Sequence, residues 1–154
     1  MALKTGTEWV ESLKEVKPNV FILGEKVDGV WDHPLFHSTL NLLGATHDFA
    51  FDSEYKHLSV ARSLLVNEPI RRLNLHLQTS KEDAVIKAKL TREVTSRRIC
   101  AWCGSNLVSV MWAAIYDTDQ KHKTSYHERF VEYVKYLQKN DIDACWGMMD
   151  PKGD

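Results

Sequence analysis

The sequence predicts a mainly α fold. Three observations carry that expectation: apolar residues recur at three- and four-residue spacing through most of the 154 residues, most of these stretches open on a capping pattern, and the one strand-like run before residue 142 is only four residues long. A chain of this length buries one core of its own, and a second domain does not fit. No internal repeat, heptad run or low-complexity tract interrupts the pattern.

The first helix is expected from Thr5, which makes a capping-box pattern with Glu8. Trp9, Leu13 and Val16 then fall on one face. Lys17-Pro18-Asn19 ends it. Val20-Phe21-Ile22-Leu23, bounded by Pro18 and Gly24, reads as a strand or an extended buried segment, and Gly24-Glu25-Lys26 turns the chain. A second helix starts at Asp32-His33-Pro34, with Asp32 as cap and Pro34 in the first turn, where its missing N–H costs nothing. Its face is Phe36, Leu40 and Leu43, and it runs to about Phe51. Residues 52–78 form the least regular segment, a loop with short helical pieces broken by Pro69.

A long third helix is capped by Thr79 with Glu82 or by Ser80 with Asp83. Ile86, Leu90 and Val94 form its face, and Arg97-Arg98 suits the negative end of its dipole. The fourth, roughly Leu107 to Lys121, is apolar on nearly every side, the mark of a helix buried from several directions. Ser125 with Glu128 caps the fifth, whose seam is Tyr126, Phe130, Val134 and Leu137. From Ile142 the 3.6-residue period is lost, and an apolar, aromatic run leads into Asp150-Pro151-Lys152-Gly153-Asp154. This change reads as a strand opening a second domain.

Composition narrows the function classes. Twenty Lys and Arg against 21 Asp and Glu give a net charge of −1, and the basic residues are scattered, which argues against nucleic acid or an anionic membrane as main partner. With no apolar run of 18 residues and no leader pattern, a soluble cytoplasmic protein is expected. Cys100-Ala101-Trp102-Cys103 is the one arrangement with metal-ligand spacing; the pair reads either as core thiols or as ligands needing further partners. His33, His37 and His47 share one expected helix, and His122 and His127 flank a turn. Cap and surface roles are expected for them, as are solvated helix ends for Asp117, Asp119, Asp141 and Asp143. No phosphate-cradling glycine loop, nucleophile elbow or His-Glu-x-x-His pattern is present.

One set of short motifs occurs together and in order: Gly24-Glu25-Lys26, Asp32-His33-Pro34, Asn74-Leu75-His76, Tyr116 with Asp119-Gln120-Lys121, Tyr126-His127 with Phe130, Glu132-Tyr133, Asn140-Asp141 and the closing Asp150 to Asp154. Together they resemble the N-terminal portion of the 4-hydroxyphenylacetate 3-hydroxylase and 4-hydroxybutyryl-CoA dehydratase family. The resemblance implies a flavoprotein with an acyl-CoA dehydrogenase-like fold: a helical N-terminal domain, a middle β-barrel domain and a C-terminal four-helix bundle, with FAD between them in a homotetramer. On that reading residues 1–141 are the helical domain and 142–154 open the barrel. Trp146, Met148, Met149, Asp150, Lys152, Gly153 and Asp154 then line one edge of the flavin pocket. The implied substrate is a small phenol or an acyl-CoA, the implied partner is the remaining domains or a second chain, and the segment alone is inactive.

The two branches of the family differ in chemistry. The dehydratase branch is implied to hold a [4Fe-4S] cluster with a cysteine pair spaced by three residues and two ligands from later sequence, whereas Cys100 and Cys103 are spaced by two. The oxygenase branch is implied to grip a phenol with an arginine and a tyrosine four apart and a histidine on the opening strand. This sequence has Gly104-Ser105-Asn106 near the first position and Trp146 at the second. The closing Asp-Pro-Lys-Gly-Asp leans toward the dehydratases. A helical interaction module without catalysis is the competing reading. The two differ in the gene beyond codon 154, where an enzyme requires an open frame coding for a barrel and a bundle and a module requires a stop.

Overall fold

A computed structural model describes residues 3–97 and 106–144. Helix α1 (Gly6–Val16) begins as expected: the Glu8 N–H donates to Thr5 Oγ1 (3.2 Å) and the Thr5 N–H to Glu8 Oε2 (2.8 Å), which satisfies two N–H groups that a helix start otherwise leaves unpaired. Lys17 ends the helix in the left-handed region. Strand β1 (Val20–Ile22) is confirmed, but Glu25 and Lys26 are not turn residues. They belong to β2 (Glu25–Val27), antiparallel to β1 with Val20 opposite Val27. Leu23 (φ 50°) and Gly24 (φ 88°) alone make the connection, with positive φ at both positions as a two-residue hairpin loop requires.

Helix α2 (Pro34–Asp48) is capped by His33, whose Nδ1 accepts from the Leu35 N–H, and not by Asp32. It stops three residues earlier than expected. Phe36 and Leu40 do face inward, Leu43 is exposed, and the buried row continues through Gly44 to His47. Helices α1 and α2 meet glycine to glycine. A Cβ on Gly6 would lie 2.5 Å from the Gly44 carbonyl oxygen, and the Gly6 N–H donates to Asp48 Oδ1 at 2.8 Å.

The irregular segment proves to be the centre of the core. It holds α3 (Lys56–Ser59), the strands β3 (Val60–Arg62) and β4 (Pro69–Arg71), and α4 (Arg72–Leu75). The short helical pieces were expected; the antiparallel β3–β4 pair, with Ala61 opposite Ile70, was not. Pro69 sits at the first residue of its strand, where it breaks no interior ladder bond. Ser63 closes the connection, with its hydroxyl accepting from the Leu65 and Val66 N–H groups at 3.0 Å each.

Helix α5 (Lys81–Arg97) is capped by Ser80, whose Oγ accepts from the Asp83 N–H at 3.0 Å. Leu90 and Val94 are buried as expected; Ile86 is half-buried, and the buried row includes Lys87. Helix α6 (Leu107–His122) packs on α4 and on α7 (Tyr126–Asn140). The expectation that α6 is covered from several directions fails among the described residues: of its residues only Val108 is buried, and Val110 is 50% exposed, its main packing being against those two helices. Nor does Ser125 cap α7 through its side chain. Asp119 of α6 does so, accepting from the Tyr126 N–H (3.0 Å) and the His127 N–H (2.7 Å). In the α7 seam Val134 and Leu137 are buried, Phe130 is half-buried and Tyr126 is exposed.

Two apolar clusters result. Phe49, Tyr55, Leu90 and Val94 join α5 to the end of α2, with Leu58 and Leu73 against them. Ile70, Leu75 and Leu137 join β4 and α4 to α7, and Ile142 and Ala144 pack on this second cluster.

Candidate functional site

The expected flavin-edge residues Trp146, Met148, Met149, Asp150, Lys152, Gly153 and Asp154, and the expected metal ligands Cys100 and Cys103, lie outside the described residues. The chain leading up to them, as far as Ala144, is tied down from several elements. Asp141 ends α7 with φ 49° and is buried. Its Oδ1 accepts from Arg71 Nε at 2.7 Å and its Oδ2 from the Lys4 N–H at 2.8 Å. The Lys4 ammonium donates to the Asn140 carbonyl at 2.9 Å.

Two residues on, Asp143 accepts from Asn74 Nδ2 at 2.6 Å, lies 3.3 Å from Arg71 Nη2 and meets His47 Nε2 at 3.0 Å. Arg71 Nη1 also contacts His47 Nε2. Burial raises the Asp143 carboxyl, but the His47 hydrogen bond, the Arg71 charge and the Asn74 amide outweigh it and hold the group well below the ordinary carboxylate range. His47, fully buried and packed 5.0 Å from the Trp9 ring, leaves its Nδ1 without a partner among the described residues. The N-terminus, α2, β4 and α4 therefore all grip the backbone that leads into residues 145–154.

These contacts overturn two expectations. His47 has neither a cap nor a surface role, and Asp141 and Asp143 are not solvated helix ends; each is held in an ion network by Arg71. Asp119 is a helix end but serves as a cap, Asp117 is solvated, and His33 does cap. Beside the network runs a groove of about 570 Å³, with the α1 face of Trp9, Leu13 and Val16 on one wall and Tyr136, Ile142 and Asp143 on the other.

A second charged cluster surrounds the first half of α5. Arg72 donates through Nε to the Leu58 carbonyl (3.0 Å) and through Nη1 to Asp83 Oδ1 (3.3 Å), while His76 Nε2 lies 3.9 Å from the same oxygen. Burial and the Arg72 charge push the His76 ring below its ordinary value, with a smaller push from Lys87. Burial, seconded by Arg72, lowers the Lys87 ammonium to about 8.

Sequence reading missed Arg71, Asn74 and Lys87 as organising residues. A signal existed for two neighbours: His47 continues the Phe36–Leu40 row at helical spacing, and Lys87 lies three and seven residues before Leu90 and Val94. Arg71 and Asn74 lie where no period runs. Among the described residues no group of three or more His, Cys, Asp or Glu side chains is placed to hold a metal ion, and no helix is long and apolar enough to cross a membrane.

Known proteins share both the sequence and the fold. A family model described as 4-hydroxyphenylacetate 3-hydroxylase N terminal matches residues 5–154. The 4-hydroxybutyryl-CoA dehydratase/vinylacetyl-CoA-Δ-isomerase of Clostridium aminobutyricum is 33% identical over 99% of this chain and 31% of its own length. The oxygenase component of 4-hydroxyphenylacetate 3-monooxygenase from Geobacillus sp. (strain PA-9) is 25% identical over 99% of this chain and 31% of its own length. Among solved structures, the oxygen-tolerant archaeal 4-hydroxybutyryl-CoA dehydratase from N. maritimus superposes with a TM-score of 0.88 at 30% identity, covering 99% of this chain and 31% of that one. A 4-hydroxyphenylacetate 3-monooxygenase oxygenase component complexed with FAD and 4-hydroxyphenylacetate gives 0.74 at 21% identity, over 91% of this chain and 29% of that one, a likeness of fold alone. The chain thus spans about a third of the length of the relatives it matches.

Proposed function

Because the chain belongs to the 4-hydroxyphenylacetate 3-hydroxylase N-terminal family, we propose that it is the N-terminal helical segment of an FAD-dependent enzyme acting on a small molecule, on the dehydratase side of the family. The observation that carries the branch is the gap in similarity: 33% identity and a TM-score of 0.88 to dehydratases, against 25% and 0.74 to oxygenase components. The substrate class is then an acyl-CoA such as 4-hydroxybutyryl-CoA, and the working assembly a cytoplasmic homotetramer. Residues 1–141 form the helical domain, and 142–154 open the barrel and give the flavin one edge, Trp146 to Asp154.

In this reading the described residues anchor the flavin edge and do not themselves hold the cofactor. The Arg71, Asp141, Asp143 and His47 network fixes where the backbone leaves the helical core, two residues before Cys145. A flavin, when bound, supplies the redox chemistry. It needs a concave and mostly apolar pocket, and the groove beside α1 has a charged rim of Lys4, Glu15 and Asp143. A [4Fe-4S] cluster takes four protein ligands, and Cys100 with Cys103 offers two, so no step is routed through a cluster here.

The 154-residue chain alone is expected to bind FAD weakly or not at all and to be inactive. The test expresses it beside the product of the full reading frame, measures flavin absorbance after gel filtration, and assays dehydration of 4-hydroxybutyryl-CoA against hydroxylation of 4-hydroxyphenylacetate. Stoichiometric flavin on the 154-residue chain sinks the segment reading, and hydroxylation without dehydration by the full product sinks the branch.

A further inference from the structure

The β1–β2 hairpin turns on a residue that its position does not favour. Leu23 takes the first place of the two-residue loop at φ 50°, a conformation that glycine and asparagine adopt readily and leucine only at a cost. Its side chain is also 99% exposed, and Phe21, two residues before it, is 59% exposed. Backbone strain and full exposure on one apolar residue mark a tip shaped for something other than folding. Beside that tip lies a groove of about 530 Å³ between the hairpin and the start of α2. Ile22, Val27 and Leu35 supply its apolar lining, Leu35 being itself 66% exposed, and Glu25, Lys26 and Asp28 complete it.

We propose that this surface pairs with itself: the Leu23 tip of one copy of the chain enters the groove of a second copy, and the second copy's tip enters the groove of the first. One patch holds a projecting apolar knob and a concave apolar receiver side by side, which is what a two-fold contact between identical surfaces requires. The charges agree with that occupant. Glu25 and Asp28 together with Lys26 put both signs in the patch, so a second copy can set acid against base, and a net charge of −1 leaves little overall repulsion between copies. Two hairpins bury less than the about 1,600 Å² of a standard interface, so the contact is a reversible one. Only residues 20–35 take part, and the contact can fail while the flavin reading stands.

Sedimentation equilibrium of the 154-residue chain and two variants tests it. Leu23→Gly removes the knob and Leu35→Asp spoils the receiver, and both keep the fold: glycine suits the positive φ, and an acid suits the first turn of α2. The parent is expected to form a reversible dimer. Each variant is expected to raise the dissociation constant by about a hundredfold or more, since both symmetry-related contacts go at once. Mixing the two variants is the decisive measurement. The Leu23→Gly chain keeps a receiver and the Leu35→Asp chain keeps a knob, so one of the two contacts re-forms and the mixture associates more tightly than either variant alone. A parent that stays monomeric up to about 1 mM leaves the groove to another occupant and overturns the proposal, as do variants that associate like the parent or a mixture no tighter than its components. Association abolished by Val110→Asp but not by Leu23→Gly places the contact on α6 and overturns it too.

Discussion

Replacing Lys87 by methionine should stabilise this protein, and the amount can be worked from the surroundings of the ammonium. The side chain is buried, Arg72 adds a like charge, and no carboxylate compensates, so the group falls from an ordinary 10.5 to about 8. Each unit is worth about 1.4 kcal/mol of preference for the neutral form, which makes the charged state cost roughly 3 kcal/mol in the folded chain at pH 7. Methionine keeps an unbranched stem of similar length and removes the charge. The pH dependence has a definite sign. The folded value is the lower one, so between about 8 and 10.5 the unfolded chain binds more protons, and the parent gains stability as pH rises through that window. The advantage of Lys87→Met should therefore be about 3 kcal/mol at pH 7 and shrink below about 1 kcal/mol by pH 10. Urea unfolding of both proteins in chloride buffer at the two pH values measures it. A variant no more stable at pH 7, or an advantage that stays constant with pH, refutes the reasoning.

Two further substitutions probe the scaffold. Gly6→Ala places a Cβ 2.5 Å from the Gly44 carbonyl oxygen and 2.7 Å from its carbon, both backbone atoms that cannot swing aside. A loss of about 1–3 kcal/mol is expected from overpacking, and an unchanged urea midpoint would show that α1 and α2 do not cross there. Arg71→Met removes the partner of a buried carboxylate, with an expected loss of about 3–5 kcal/mol. Asp143 is held below the ordinary carboxylate range, so its contribution is complete above that range and is lost progressively as pH falls below it toward the lower folded value. Arg71→Met should accordingly flatten the acid limb of stability below about pH 4, and a limb parallel to that of the parent there would remove the ion pair from the account.

Legibility along the chain tracks how local the determining physics is. Thr5 and Glu8 complete a capping box three residues apart, and Ser80 reaches Asp83 over the same distance, so both helix starts could be read from neighbours in sequence. Ser125 looks like an equally good cap, yet Asp119 on the preceding helix takes the Tyr126 and His127 N–H groups. The competitor was six residues upstream, beyond a local pattern. Leu23 was read as the end of the first strand and Gly24-Glu25-Lys26 as the turn, because three-residue strands are too short to show alternation. The largest miss has the same origin. Residues 52–78 lack a period because their side chains are selected by partners far away in sequence: Arg71 by Asp141, Ser63 by Gln138 at 2.6 Å, and the Leu75 carbonyl by Gln138 Nε2 at 2.7 Å. A segment whose defining contacts are long-range looks like loop and turns out to be core.

Helix α6 is the converse case, where composition describes more burial than the fold supplies. Its apolar residues run all the way round, the pattern of a helix enclosed on several sides. In the fold it touches α4 and α7, and Val110, Ala113 and Ala114 remain exposed. The α1 row shows the same imbalance, since Trp9 is buried while Val16, two turns along the same face, is 70% exposed beside the groove. Both surfaces are too apolar to be favoured against water. The relatives this chain matches are about three times its length. Under the proposed function these helices keep the composition of a larger assembly: capping and periodicity suffice to fold the segment, and the apolar residues left over on α1 and α6 are where the remainder of the enzyme packs.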